Sequence, residues 1–213
     1  MKTVAEFVTS AAGASGFPGD PLPEIALVGR SNVGKSSLIN ALARQRVART
    51  SAAPGKTRLA NFYRMARGAS PPVYLVDLPG YGYTRGQASA AAEFNALTDA
   101  YFGRGKAAGI LLIDIRHPGL ESDLAAWQWL RAAATNAALV ATKTDKLARG
   151  ERIRAVRQLE SVFEDSVLPV SAVTGEGLDE LWKLIDKLAN NRQTKPRPSR
   201  PPKATAPPAP RKR

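Results

Sequence analysis

Ile25-Ala26-Leu27-Val28-Gly29-Arg30-Ser31-Asn32-Val33-Gly34-Lys35-Ser36-Ser37-Leu38-Ile39-Asn40-Ala41-Leu42 says most about the architecture of this chain. Its first four residues are a continuous apolar run, as a strand buried on both faces requires. Residues 29–36 follow the pattern G-x-x-x-x-G-K-S. Behind them Leu38, Ile39, Ala41 and Leu42 recur at helical spacing. Strand, glycine turn and helix in that order surround an anion with backbone N–H groups and the positive end of a helix dipole. In such a loop Gly29, Arg30, Ser31, Asn32, Val33 and Gly34 would line the phosphates of a nucleotide. Lys35 would reach the β- and γ-phosphates as a catalytic cation, and the Ser36 hydroxyl would ligate Mg²⁺.

Outward from this stretch the pattern continues. Residues 59–66, 73–76, 110–113, 138–141 and 167–170 read as further strands, which makes six with 25–28. Residues 89–102, 150–164 and 177–189 read as helices, and Ser122-Asp123 can cap another that carries Leu124, Trp127 and Leu130. Apolar strands alternating with amphipathic helices imply an α/β fold with a mostly parallel sheet covered on both faces. Residues 1–22 read as an N-terminal arm broken by Pro18, Gly19 and Pro21, and 23–190 as the domain. Residues 191–213 read as a disordered, basic, Pro-rich tail.

Composition narrows the chemistry. The chain has 213 residues, 44% of them hydrophobic, and no cysteine, so disulfides and thiolate zinc sites are excluded. No run approaches the ~20 apolar residues of a membrane span. Glu6 interrupts the only candidate leader segment. A cytoplasmic protein is expected. The net charge is +13, and residues 192–213 carry eight basic side chains and no acid, which leaves +5 on the rest.

Three more motifs follow strands, at the carboxyl edge where ligands of such sheets bind. Asp77-Leu78-Pro79-Gly80 offers a carboxylate to hold Mg²⁺ through water and a Gly80 N–H to sense a γ-phosphate. Thr142-Lys143-Thr144-Asp145 offers a carboxylate that can accept both N1–H and N2–H of guanine, a pairing adenine cannot make. Val170-Ser171-Ala172 offers N–H groups toward the guanine O6. Thr57, in the loop between the first two motifs, could complete the Mg²⁺ shell when a γ-phosphate is present, so that losing the phosphate releases the loop.

In this order and spacing the motifs resemble those of Era-type bacterial GTPases, and most closely the EngB/YsxC (YihA) ribosome-biogenesis family. The carrying stretches are 23–42, Pro54-Gly55-Lys56-Thr57-Arg58, Asp77-Leu78-Pro79-Gly80-Tyr81-Gly82-Tyr83, 114–118, 142–146 and 170–181. The resemblance implies a P-loop NTPase three-layer α/β/α G domain, with a mostly parallel six-stranded sheet and one antiparallel edge strand. It implies GTP and GDP as ligands held by 29–36, by Gly55, Lys56, Thr57, Arg58 and Leu59, and by 77–80, 142–145 and 170–172. Ser36 and Thr57 become the direct Mg²⁺ ligands, Lys35, Thr57 and Gly80 the catalytic groups, 45–58 switch I and 80–90 switch II. It further implies a monomer that works on the large ribosomal subunit and is needed for septation and cell division. The alternative is a regulator acting mainly on a cell-division protein.

Three residues stand apart. Tyr81 occupies the position after D-x-x-G where many GTPases place a water-orienting Gln, so slow intrinsic hydrolysis is expected. Its ring is expected to swing away and serve a partner. Asn32 could hold K⁺ between the phosphates or could merely shape the loop. His117, the single histidine, reads as a structural or partner contact. Arg44, Arg46, Arg49, Lys56 and Arg58 around switch I, Arg149, Arg152, Arg154 and Arg157 on a helix, and the tail together make a footprint for rRNA phosphates.

Overall fold

The computed structural model describes residues 2–49, 59–81 and 88–190, with no account of the side chains of 88–91. The switch segment 50–58, the motif residues Gly82 and Tyr83, and the tail 191–213 therefore lie outside the described residues.

The apolar runs form strands β1 (Thr3–Ala11), β2 (Glu24–Gly29), β3 (Ala60–Arg67), β4 (Val73–Asp77), β5 (Ala107–Asp114), β6 (Ala137–Thr142) and β7 (Val167–Pro169). Helices α1 (Lys35–Ala43), α2 (Ala88–Phe102), α3 (Glu121–Ala133), α4 (Arg149–Phe163) and α5 (Leu178–Asn190) connect or follow them. One sheet holds all seven strands in the order β1-β3-β4-β2-β5-β6-β7. Along β2, Ile25 and Leu27 join a core with α1 and α5, while Ala26 and Val28 join a core with α2, α3 and α4. A strand buried on both faces cannot alternate apolar with polar residues, which is why 25–28 is apolar throughout.

Strands β2, β4, β5, β6 and β7 pair in parallel, and β3 pairs antiparallel with β4. The sheet has one strand more than expected. Thr3–Ala11, read as part of an arm, pairs antiparallel with β3 from Thr3↔Arg67 to Ala11↔Ala60, with an irregularity between Phe7 and Thr9. The strand anticipated at the edge is therefore one position in. Only Ala5 and Ala11 of β1 are buried, so the stretch has too few inward apolar residues to announce a strand. Ring contacts fasten it and the segment behind it: Phe7 lies edge-on to Tyr63, and Phe17 packs on Phe62 and Tyr101.

The chain leaves β2 for β3 and β4 on one side and continues with β5 on the other, so the strand order switches direction at β2. That switch point puts the 29–36 loop at the carboxyl end of β2, between the ends of β4 and β5. At the opposite end of the sheet the buried Glu24 carboxylate pairs with Arg104 and with Lys106 Nζ at 2.7 Å.

Leu130 of α3 is fully buried and presses on Gly109 of β5, where any Cβ would lie 2.5 Å from Leu130 Cδ1. Leu130→Ala should lower unfolding stability by about 2–5 kcal/mol, the usual cost of such a cavity. Chemical denaturation of the two proteins measures it.

Candidate functional site

The phosphate loop is shaped by backbone conformations that its sequence allows. Gly34 (φ 110°) precedes α1, and Asn32 (φ 63°) turns the tip, a left-handed position that asparagine tolerates better than most residues. A Cβ on Gly29 would meet Val33 Cγ1 at 2.8 Å and the Leu112 carbonyl oxygen at 2.9 Å, so the loop can lie this close to β5 only without a side chain. The buried Lys35 ammonium donates to the carbonyls of Gly29 at 3.3 Å and Arg30 at 3.5 Å, and so curls back over the loop. Burial pushes its pKa down, and Asp77 opposes that shift.

Asp77 ends β4 beside α1. Its Oδ2 accepts the Ser36 hydroxyl at 2.8 Å, while Oδ1 is buried with no hydrogen-bond partner. Burial raises its pKa against the pull of Lys35 and Ser36. A buried carboxylate oxygen left open beside a serine hydroxyl is the donor set a hard cation needs, and Mg²⁺ characteristically adds phosphate and water oxygens to one or two such groups. The residues present fit that ion. Leu78 and Pro79 carry the chain on to Gly80, whose Cα lies against the loop: a Cβ there would fall 2.6 Å from Ser31 N. Gly55, Lys56, Thr57 and Arg58, including the Thr57 expected as a second metal ligand, lie outside the described residues. Leu59, at their end, is exposed.

The chain leaving α1 toward the segment expected as switch I is fixed from the helix itself. Asn40 Oδ1 accepts N–H from Val47 at 2.9 Å and from Ala48 at 2.7 Å, and its Nδ2 donates to the Ala48 carbonyl. Gln45 Nε2 donates to the Ala5 carbonyl at 2.7 Å, which ties this stretch to the edge strand.

The base loops are joined to each other and to the phosphate loop. Thr142 Oγ1 sits 2.8 Å from the Val33 carbonyl and 3.1 Å from that of Ile113, so its hydroxyl bridges loop and sheet. Lys143 (φ 63°) donates to the Asn32 carbonyl at 2.7 Å and to Asp114 Oδ2 at 2.9 Å. Thr144 N–H donates to the Val170 carbonyl. Asp145 Oδ1 accepts the Ser171 hydroxyl at 2.7 Å, and this bond, more than any other influence, holds the Asp145 pKa below its usual value. The Ser171 oxygen in turn accepts N–H from Val173 and Thr174 at 3.1 Å each. The sequence offered Ser171 as a backbone donor; in the fold its side chain orients the Asp145 carboxylate, expected to meet guanine. Ala172, half-buried, follows it.

Asp114, at the end of β5, was not singled out as a site residue. It accepts from Arg116 Nε at 2.9 Å as well as from Lys143. Burial raises its pKa, but the bonds from Arg116 and Lys143 outweigh burial and hold it well below the ordinary carboxylate range. Its spacing of 29 residues from Lys143 hid this pairing in the sequence. His117 is exposed in the turn beyond.

Two expectations change. Ser122-Asp123 does not cap α3: Leu120 precedes the helix, and Asp123 is turned inward and buried. Its Oδ1 accepts the Tyr81 hydroxyl at 2.9 Å. Tyr81 does swing away from the phosphate side, but into the core, where a partner cannot reach it. Trp127 is core, and Trp129 is half-buried with its ring edge-on to Phe102.

Residues 24–143 match the model of the 50S ribosome-binding GTPase family. Over 196 residues the chain is 43% identical to the probable GTP-binding protein EngB of Heliobacterium modesticaldum, covering 89% of this chain and 94% of the relative. The chain belongs to the EngB family of GTP-binding proteins. It is also 41% identical over 190 residues to the probable EngB of Clostridioides difficile, covering 85% and 91% of the two chains. A crystal structure of a probable GTP-binding protein engB superposes with a TM-score of 0.60 at 22% identity, covering 79% of this chain and all of that one. The structure of Era with MgGDPNP and nucleotides 1506–1542 of 16S ribosomal RNA gives a TM-score of 0.68 at 23% identity, covering 78% and 56%. These likenesses confirm the P-loop GTPase fold. Membership in the family makes this chain a GTP- and GDP-binding GTPase.

Asp114→Asn should free Lys143 and weaken GDP binding by about tenfold, the loss of roughly one charge-assisted hydrogen bond. Fluorescence titration with labelled GDP tests that. Because the folded pKa of Asp114 is depressed, its contribution to stability is complete above the ordinary carboxylate range and is lost as pH falls through the folded value. The variant should therefore show a flatter acid limb in thermal unfolding between pH 7 and pH 2.

Proposed function

We propose that this chain hydrolyses GTP to GDP and phosphate as a switch in assembly of the large ribosomal subunit, working as a monomer in the cytoplasm. On this reading its loss disturbs septation and cell division. The observation that carries the reading is the joined guanine and phosphate loops, with Asp145 oriented by Ser171 and Lys143 resting on Asn32. Asp145 presents a carboxylate to the two N–H groups of guanine. Adenine cannot supply that pair of donors, so GTP is preferred over ATP.

Lys35 is positioned to hold the β- and γ-phosphates and to offset charge as the bond to the leaving phosphate lengthens. Gly80 supplies its N–H on the γ-phosphate side. Ser36, and Thr57 from switch I, would hold Mg²⁺ directly, with Asp77 behind water. That ion would neutralise the phosphate oxygens. With Tyr81 buried, no side chain at its position orients water, so intrinsic turnover is slow and is raised by the ribosomal partner. Asn32 stands where a K⁺ could be held between the phosphates.

The ribosome as partner is supported by the name of the matching family and by charge. Arg44, Arg46 and Arg49 at switch I and Arg149, Arg154 and Arg157 on α4 are exposed. None of these six makes an ion pair among the described residues, whereas Arg152 pairs with Glu176. Unpaired arginines on a body of net positive charge suit rRNA phosphates. No helix among the described residues is long and apolar enough to cross a membrane.

Asp145→Asn should lose GTP binding by more than about a hundredfold and gain xanthosine triphosphate, whose 2-oxo group accepts from the new amide where guanine donates. Nucleotide competition assays show the exchange. GTP turnover should rise on adding purified large subunits, and co-sedimentation with them should require GTP and fall as salt rises. Binding to a division protein, with no response to subunits, would move the switch to the alternative target. Turnover compared in KCl and NaCl measures the K⁺ role of Asn32, and equal rates would remove it.

A further inference from the structure

Tyr81 is attached at both ends. Its carbonyl accepts the Ser31 N–H at 3.3 Å, and its backbone forms a parallel bridge with Arg30. Its side chain passes into the core shared with α2 and α3 and donates to Asp123. Asp123 lies in the first turn of α3, 2% exposed; the Ser122 hydroxyl at 3.5 Å and the charge of Arg30 in the phosphate loop also act on it. The residue therefore joins the phosphate loop to α3 through the first residue after the D-x-x-G motif.

Two consequences follow from ordinary hydrogen-bond accounting. One amide of the phosphate loop, that of Ser31, is occupied by the protein's own carbonyl rather than directed to a ligand. And Gly80 rests so close to Ser31 that even a methyl group would collide with the loop. A diphosphate brings nothing to the Gly80 side. On the switch reading a third phosphate draws Gly80 N–H toward itself, and the Gly80–Tyr81 backbone cannot move far while the phenol stays bonded in the core.

We propose that the Tyr81–Asp123 hydrogen bond sets the preference of this protein between nucleoside di- and triphosphate, by holding the Gly80–Tyr81 backbone down on Ser31 in the diphosphate state. The inference rests on the GTP-switch reading and gives that switch a residue pair. Asp123 and Tyr81 are positioning residues: they act through Gly80 and Ser31 and touch no phosphate. The energy favouring the held state is that of a hydrogen bond to a buried carboxylate, which exists only while the ring is inside.

Tyr81→Phe keeps the ring and removes the bond. It should shift the ratio of dissociation constants, GDP over a non-hydrolysable GTP analogue, by about tenfold toward the triphosphate. Asp123→Asn keeps an acceptor but loses the charge, and should shift the ratio in the same direction by less. The double variant should go no further than Tyr81→Phe alone, because one bond cannot be lost twice. The readouts are fluorescence titrations with the two nucleotides on full-length protein, with circular dichroism and melting temperature recorded for each variant. A purely structural bond would lower the melting temperature and leave the ratio within twofold of wild type, and that result overturns the proposal. Should Tyr81→Phe fail to fold, an unchanged ratio in folded Asp123→Asn overturns it equally. Wild-type protein that binds neither nucleotide would overturn the switch reading itself, and this one with it.

Discussion

The close approach of bare backbone to backbone around the phosphate loop is the constraint on which the rest of the site depends. Gly29 lies against the Leu112 carbonyl, and Gly80 lies against the amide of Ser31. Neither contact survives a Cβ. Together they bring the ends of β2, β4 and β5 into one cluster, so that the turn after β2, the Asp77 carboxylate ending β4 and the Asp114 carboxylate ending β5, which anchors Lys143, share the carboxyl edge of the sheet. The parallel sheet supplies the rigid frame, since β2, β4 and β5 are buried along most of their length and sealed by helices on both sides.

Around that cluster the charges are arranged in opposed pairs. Lys35 is pushed toward neutrality by burial and Asp77 toward protonation, and each partly restores the other. One oxygen of Asp77 is satisfied by Ser36 and one is left open, the kind of debt a divalent ion settles. Asp114 and Asp145 are the reverse case: both are held ionised by donors, one by Arg116 and Lys143 and the other by Ser171. Burial thus opposes charge at the phosphate end, while hydrogen-bond donors favour it at the base end.

The edge of the sheet adds a mechanical link. Gln45 reaches the Ala5 carbonyl and Asn40 holds Val47 and Ala48, so the chain just after α1 is fastened at both the helix and the edge strand. Beyond the D-x-x-G motif Tyr81 is likewise fastened, in the core. Both anchor points rest on side-chain bonds to distant elements, from Gln45 to the edge strand and from Tyr81 to α3.

The sequence by itself determined the layered α/β architecture, the order of strand and helix from β2 to α5, and the motif positions at the carboxyl ends of the strands. It could do so because buried strands, amphipathic helices and glycine turns each leave a local signature. The edge strand β1 left none, having only two buried residues in nine, and its pairing with β3 joins residues 49 to 64 positions apart. Asp114 on Lys143, Ser171 on Asp145 and Asp123 on Tyr81 are likewise side-chain bonds between residues 26 to 42 positions apart. No local pattern encodes such a bond. Asp123 looked like a cap because an acid at the start of a helix is ordinarily one. Only the packing of α3 over the phenol of Tyr81 turned it inward, since burial leaves a carboxylate no choice but to take the nearest donor.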